Sequence, residues 1–266
     1  MTPSCSCADK KQGCGAAPVP EWLCLPVAPH GVARLRFAGS AQLPQPIPLQ
    51  GALSWIGDLQ ERGRRIGGLE LHGPGDPLAS LRMTVEILDQ LQENQPNISL
   101  GITTLGLGLV EHAEELRRHG VERITLLVDA VQAELVEQLY SWIRPGKRNI
   151  PLQEGAAIVI AEQAKAVSAC LAVGLRVTIQ TTLYHNINEQ EVPDIAKTFV
   201  GLGAESMTLV PGQGWAEGEE ELPLPVLSPE IMANLNDSAA QHITILAPPV
   251  VQNLHQCAGH ESCTCG

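Results

Sequence analysis

The chain has 266 residues, 44% of them apolar, with 17 Lys+Arg against 29 Asp+Glu and a formal net charge of −12. This supports one large folded domain or two small ones and excludes a disordered chain. The acidic balance argues against a nucleic-acid backbone or an anionic membrane as main partner, and aromatic residues at 3% leave few stacking platforms for bases or sugars.

After a Gly/Pro/Cys-rich lead, Trp22 to Ala28 (WLCLPVA) is a short apolar run suited to a buried strand. Residues 39–50, rich in Pro and Gln, predict a loop. A helix around Leu53 to Leu59 follows, then a basic turn with Arg62, Arg64 and Arg65. Ile66 to Leu71 predicts the second strand, ending at GPGDPLA, where Asp76 and Pro77 supply an N-cap and a first-turn proline. The next helix places Leu78, Leu81, Val85, Leu88 and Leu91 at spacings of three and four. Asn97 to Thr103 predicts a strand, Val110 to His119 a helix closed by Gly120, Val121 to Val128 a strand and Val131 to Trp142 a helix. A long helix, roughly Gln153 to Val173, is closed by Gly174, and Leu175 to Thr181 is a strand. Asn188 and Glu191 have the spacing of a capping box at the start of a helix reaching about Leu202. Ser206 to Val210 is the last predicted strand, and Ser228 with Pro229 opens one more helix after an acidic loop containing Glu217 to Glu221.

Roughly six strand–helix units in order, with strands read as apolar throughout, imply a parallel sheet covered by helices. A doubly wound sheet and a barrel both fit, and in either the ligands gather at the carboxyl ends of the strands. His72, Asp129, Tyr184, His185 and Asn186 fall at those ends. Each also has a bland reading: Asp129, for instance, could cap the helix after it. The basic turn falls on the opposite, stability-related face.

The eight cysteines are unevenly placed. Cys5, Cys7, Cys14 and Cys24 open the chain and Cys257, Cys263 and Cys265 close it, leaving Cys170 inside a helix as a small hydrophobe. Met1 to Pro20 lacks the apolar core of a secretory signal and no run reaches membrane-spanning length, so a reducing, cytoplasmic compartment is expected. There, clustered thiols point to metal or redox chemistry, and soft thiolates suit zinc, copper(I) or an iron–sulfur cluster. His255 with Cys257 adds an imidazole to the C-terminal set. The spacings match no common C-x₂-C form, and the rival reading is a pair of tails with free, reduced thiols.

The turn GPGDPLAS, from Gly73 to Ser80, resembles the radical S-adenosylmethionine (SAM) enzymes, and within them the nitrogenase cofactor maturases. ITTLGLGLVEHAEELRRHGVERITLLVDAV, LYSWI, GLRVTIQTTLYHNINEQ and LVPG agree with that family in order and spacing, so the resemblance covers roughly residues 22 to 240. It implies an α/β fold, a partial (β/α)₆ TIM-type barrel over 22–247, flanked by Cys-rich tails at 1–21 and 248–266. In the family a VAP-type strand end is followed by C-x₃-C-x₂-C, which holds a [4Fe–4S] cluster. Here the strand reads VAPHGVARLRFA, which puts Gly31, Leu35 and Ala38 at the three ligand positions. None of these side chains ligates iron, and reductive cleavage of SAM needs an electron delivered through the cluster.

The resemblance therefore implies a degenerate relative that is not a radical SAM catalyst. Gly73, Gly75 and Asp76 remain the candidates for cofactor binding, through close backbone approach and a helix start, although binding of intact SAM is not expected. Cys5, Cys7, Cys14, Cys257, Cys263 and Cys265 are the candidate ligands for an iron–sulfur cluster or other thiophilic metal. The expected role is to bind or carry that centre in metallocofactor assembly, with assembly proteins as partners and neither nucleic acid nor membrane. The alternatives are a metal-free adaptor that docks a true maturase or scaffold, and an active enzyme whose tails rebuild the cluster.

Overall fold

The computed structural model describes residues 21–37, 45–146, 149–212, 214 and 223–248. The first strand, β1 (Glu21–Ala28), leads through a short β2 (Ala33–Leu35) to α1 (Leu49–Glu61). Strand β3 (Ile66–Pro74) then passes through a 3₁₀ turn (Pro77–Ser80) into α2 (Leu81–Asn94). Next come β4 (Ser99–Thr104), α3 (Leu109–Arg118), β5 (Val121–Leu127), α4 (Ala133–Leu139) and β6 (Tyr140–Ile143). The long α5 (Leu152–Ala172) is followed by β7 (Arg176–Leu183), a 3₁₀ turn (Glu189–Glu191) and α6 (Val192–Leu202). Strand β8 (Ser206–Pro211), α7 (Pro229–Ala240) and β9 (Thr244–Ile245) complete the described chain.

Seven strands form one sheet in the order β1-β3-β4-β5-β7-β8-β9, and every neighbouring pair is parallel. β1 and β9 do not pair, so the barrel stays open between them. The six expected strand–helix units are present, with the two-residue β9 added as a seventh strand. Residues from all the long strands line one cavity, so the sheet is curled, as in a partial TIM-type barrel.

Strand polarity corrects the sequence reading. The strands are not apolar throughout: they alternate. Leu23, Leu25, Leu69, Leu71, Ile102, Ile124, Leu126, Val177, Ile179, Met207 and Leu209 are buried in the core under the helices. Their neighbours Cys24, Glu70, Thr103, Arg123, Thr178, Gln180 and Thr208 face the barrel interior. Successive strand side chains point to opposite faces, so one face packs against helices while the other builds the lumen.

The helices follow local rules. Asp76 accepts a bond from Leu78 N at 2.8 Å and Ser228 from Ile231 N at 3.2 Å, each with proline opening the first turn. Gly120 and Gly174 end α3 and α5 at φ 79° and 77°, where a side chain would strain the backbone. α5 does reach membrane-spanning length and hydropathy, contrary to the sequence reading. It packs against α3, α4 and α6 instead, burying Ala156, Val159, Ala166, Val167 and Cys170.

Two further expectations fail. The helix read from Val131 to Trp142 stops at Leu139, because Tyr140–Ile143 pairs antiparallel with β2. Tertiary pairing overrides helical periodicity there. Asn188 and Glu191 do not form a capping box: Asn188 bonds Tyr184 N, Asp129 O and Thr182 O, and Glu191 accepts from Gln132.

Candidate functional site

Two regions of the barrel carry polar or reactive side chains, the carboxyl rim and the lumen. At the rim, Asp76 is a buried knot. Its carboxylate accepts bonds from Leu78 N and Leu105 N at 2.8 Å and from the Thr104 hydroxyl at 2.9 Å. Burial raises its pKa and these bonds oppose the shift. The backbone of the same turn is also engaged, since Gly75 N donates to Ala28 O at 2.8 Å and Asp76 N to His30 O at 2.7 Å. A Cβ at residue 75 would stand 2.2 Å from the His30 carbonyl oxygen, which accounts for glycine there. Gly73 is buried beside it. The three residues expected to hold a cofactor thus stand together, and the polar groups of Gly75 and Asp76 are bonded to the end of β1 and to β4.

Gly31 and Leu35 lie where the resemblance puts cluster ligands; Ala38 lies outside the described residues. Gly31 is exposed near Trp142. Leu35 sits in β2, opposite Tyr140, and packs with Val32, Phe37, Leu105, Tyr140 and Tyr184 in a second apolar cluster. The Phe37 and Tyr184 ring centroids are 5.1 Å apart. Arg36 fastens the segment, its guanidinium donating to the carbonyls of Glu137, Gln138 and Tyr140 at 3.1–3.2 Å. The residues described at this strand end do not fit a cluster: Gly31 and Leu35 lack donor atoms, and Leu35 serves the apolar packing.

Asp129 and its neighbours brace the same rim. Asp129 accepts from Thr182 N and from the Tyr140 hydroxyl, both at 2.8 Å, so it ties β5 to β7 and β6 and caps no helix. Burial raises the Asp129 carboxyl, and burial with the Asp129 charge raises Tyr140 well above the usual phenol. His185 pairs with Glu189 at 2.7 Å, and Asn186 takes φ 59° in that turn. Gln163 of α5 donates to Leu105 O at 3.1 Å and Leu127 O at 2.8 Å, closing the ends of β4 and β5.

The lumen is a cavity of about 800 Å³. Its floor is Trp22, flat against the sheet: a Cβ at Gly68 would fall 2.4 Å from the ring. The Arg123 guanidinium lies over the ring, 3.5 Å from its centroid. Arg123 pairs with Glu70, which is 4% exposed and also accepts from Thr103 at 2.6 Å. Cys24 and His72 complete this side. Burial pushes the Cys24 thiol up to about 12 and lowers the His72 imidazole, so both are neutral at pH 7. Glu21, paired with Arg64 at 2.8 Å, and Pro248, beyond β9, line the same cavity. The basic turn therefore contributes Arg64 to the cavity wall.

Of the expected metal ligands, Cys5, Cys7, Cys14, Cys257, Cys263 and Cys265 lie outside the described residues, as do His255 and the acidic run. Among the described residues no group of three His, Cys, Asp or Glu side chains is placed to hold a metal. Sequence reasoning missed Trp22, Glu70, Arg123, Gln180 and the threonines. The signal was the two-residue alternation of β3, β5 and β7, visible as Gly68-Glu70-His72, Arg123-Thr125 and Thr178-Gln180.

No protein-family model matches the chain. It is 25% identical over 191 residues to the FeMo cofactor biosynthesis protein NifB of Chlorobaculum tepidum, covering 71% of this chain and 45% of that protein. NifB of Klebsiella pneumoniae is 30% identical over 139 residues (52% and 30%), and NifB of Methanocaldococcus infernus 32% over 127 (48% and 42%). The chain spans less than half the length of these relatives. In structure it is similar to the FeFe-hydrogenase maturase HydG of Carboxydothermus hydrogenoformans, with a TM-score of 0.60 and 13% identity over 85% of this chain and 53% of HydG. Methylornithine synthase PylB gives 0.56 and 12% over 88% and 74%, and the radical SAM methyltransferase TsrM of Kitasatospora setae 0.52 and 10% over 86% and 54%. The chain thus has the radical SAM fold as an open, partial barrel and is NifB-like in sequence.

Proposed function

We propose that this chain acts in metallocofactor assembly by binding or carrying an iron–sulfur or other thiophilic metal centre through its terminal thiols, and that it does not cleave SAM. One observation carries the reading: Glu21 and Pro248, from which the two Cys-rich ends continue, line the same cavity. Cys14 is seven residues from Glu21, and Cys257 nine from Pro248. Cys5, Cys7, Cys263 and Cys265 lie farther along the same two ends. Thiolates in that number suit a soft metal.

The loss of radical chemistry is supported at the rim. Leu35 is part of an apolar cluster there, and the backbone of Gly75 and Asp76 is bonded to the β1 end. Gly73, Gly75 and Asp76 would at most hold a nucleotide by backbone approach. The NifB likeness supports assembly proteins as partners.

Anaerobic reconstitution of the full chain with iron and sulfide tests the reading. A cluster signal in absorbance and EPR is expected, and the combined Cys5→Ala, Cys7→Ala, Cys263→Ala and Cys265→Ala variant should lose it. Absence of any bound metal in the folded protein would favour a metal-free adaptor instead. Formation of 5′-deoxyadenosine from SAM and dithionite would overturn the claim that the radical step is lost.

A further inference from the structure

A closed TIM barrel fills its interior with layers of bulky branched side chains. This barrel does not. Thr103, Thr125, Thr178 and Ser206 are partnered in register across β4, β5, β7 and β8, forming one row of hydroxyl side chains. Gln180 and Thr208 are partnered one step nearer the carboxyl ends. Thr103 is committed to Glu70, and Thr178 with Ser206 to each other at 3.1 Å. The side chains of Thr125, Gln180, Thr208 and His72 line the cavity and make no hydrogen bond among the described residues. Nε of Arg123 is buried without an acceptor. These four side chains open onto the cavity and take their hydrogen-bond partners from what enters it.

The charges select the ligand. Glu70 is neutralised by Arg123, Glu21 by Arg64, and Cys24 and His72 are neutral. An added anion or cation would sit uncompensated beside the Glu70–Arg123 pair. Glu70 is 4% exposed with its charge matched by Arg123, which disfavours an ammonium, and the buried Arg123 Nε offers no clamp to a carboxylate. Trp22 already stacks with the Arg123 guanidinium and lies close over Gly68, which leaves it a poor stacking platform for a ligand. What remains is a wall in which hydroxyl, amide and imidazole groups stand among apolar surface from Val210, Leu246, Ala247 and Pro248.

We propose that the lumen is a binding site for an uncharged, aliphatic polyol, held by Thr125, Gln180, Thr208 and His72. The cavity volume is within the range of small-molecule sites, roughly 300–1,000 Å³. The site is built from barrel residues alone and stands whether or not the terminal thiols bind metal.

Three acyclic six-carbon ligands that differ in charge test this: sorbitol, gluconate and glucamine, each titrated into the full chain by saturation-transfer NMR and calorimetry. Sorbitol should bind with a millimolar or tighter Kd, and both charged analogues at least about tenfold more weakly. Thr208→Val and Gln180→Leu should each weaken sorbitol by about fivefold, as expected for one lost hydrogen bond, with circular dichroism unchanged. Failure of the folded wild type to bind sorbitol, or equal binding of either charged analogue, overturns the proposal without recourse to any variant. Unaltered affinity in both folded variants overturns it as well.

Discussion

Asp76 and Asp129 do most of the polar fastening at the rim. Asp76 satisfies two backbone N–H groups and one hydroxyl, so Asp76→Ala removes a cap and strands buried donors. The expected loss is about 3 kcal/mol in urea unfolding, with Asp76→Asn costing less. For Asp129, burial holds the folded carboxyl above its ordinary 3.8, so the native state keeps a proton that the unfolded chain has released. That contribution is complete below the unfolded pKa and is lost as pH rises through the raised folded value. The stability of wild type relative to Asp129→Asn should therefore fall as pH increases from about 4 upward. A pH-independent difference between the two proteins would contradict this. Asp76 was legible in the sequence because Asp-Pro at a strand end is a local signal. The partners of Asp129 were not, since Thr182 lies 53 residues away and Tyr140 was expected in a helix.

At the scale of elements, the pairing of β2 with β6 decides what becomes of the rim. The strands lie about a hundred residues apart, and Arg36 reaches across 102 residues to the Gln138 carbonyl. No local periodicity encodes such a contact. Arg36→Ala should cost about 1–2 kcal/mol through the carbonyls it leaves at the end of α4, and should speed hydrogen exchange in β2 and β6 before the barrel strands. Exchange unchanged in those two strands would detach Arg36 from their stability. The caps at Asp76 and Ser228 and the closures at Gly120 and Gly174 were legible, because each depends on a few consecutive residues. The capping box at Asn188 was not realised: Asn188 is fully buried, and its amide spans three backbone groups of the rim.

For the whole molecule, two faces of one sheet carry different work. The outer face is a continuous apolar core, so Leu71→Ala or Ile124→Ala, both fully buried, should cost about 2–5 kcal/mol and leave metal binding by the folded fraction intact. The inner face is held by the Glu70–Arg123 pair. Arg123→Leu leaves the Glu70 carboxylate buried without its cation and should lose about 3–5 kcal/mol at neutral pH. Adding Glu70→Gln to that variant should recover much of the loss. If the double variant is no more stable than Arg123→Leu alone, the uncompensated charge is not the cause.

By itself the sequence determined the order of strand–helix units, the helix caps and the absence of ligand atoms at Gly31 and Leu35. These follow from periodicity, residue chemistry and short-range spacing. Only the tertiary structure decided that the strands alternate between core and lumen, that Asp76 is bonded into the rim, and that Leu35 belongs to an apolar cluster. It alone brings Glu21 and Pro248 to one cavity. The reason is physical: strand register, curvature and the meeting of distant segments are set by contacts between residues far apart in the chain, and a linear pattern does not contain them. The acidic, cysteine-rich composition identifies a chain rich in soft ligands, and the fold brings Glu21 and Pro248 to the wall of one cavity.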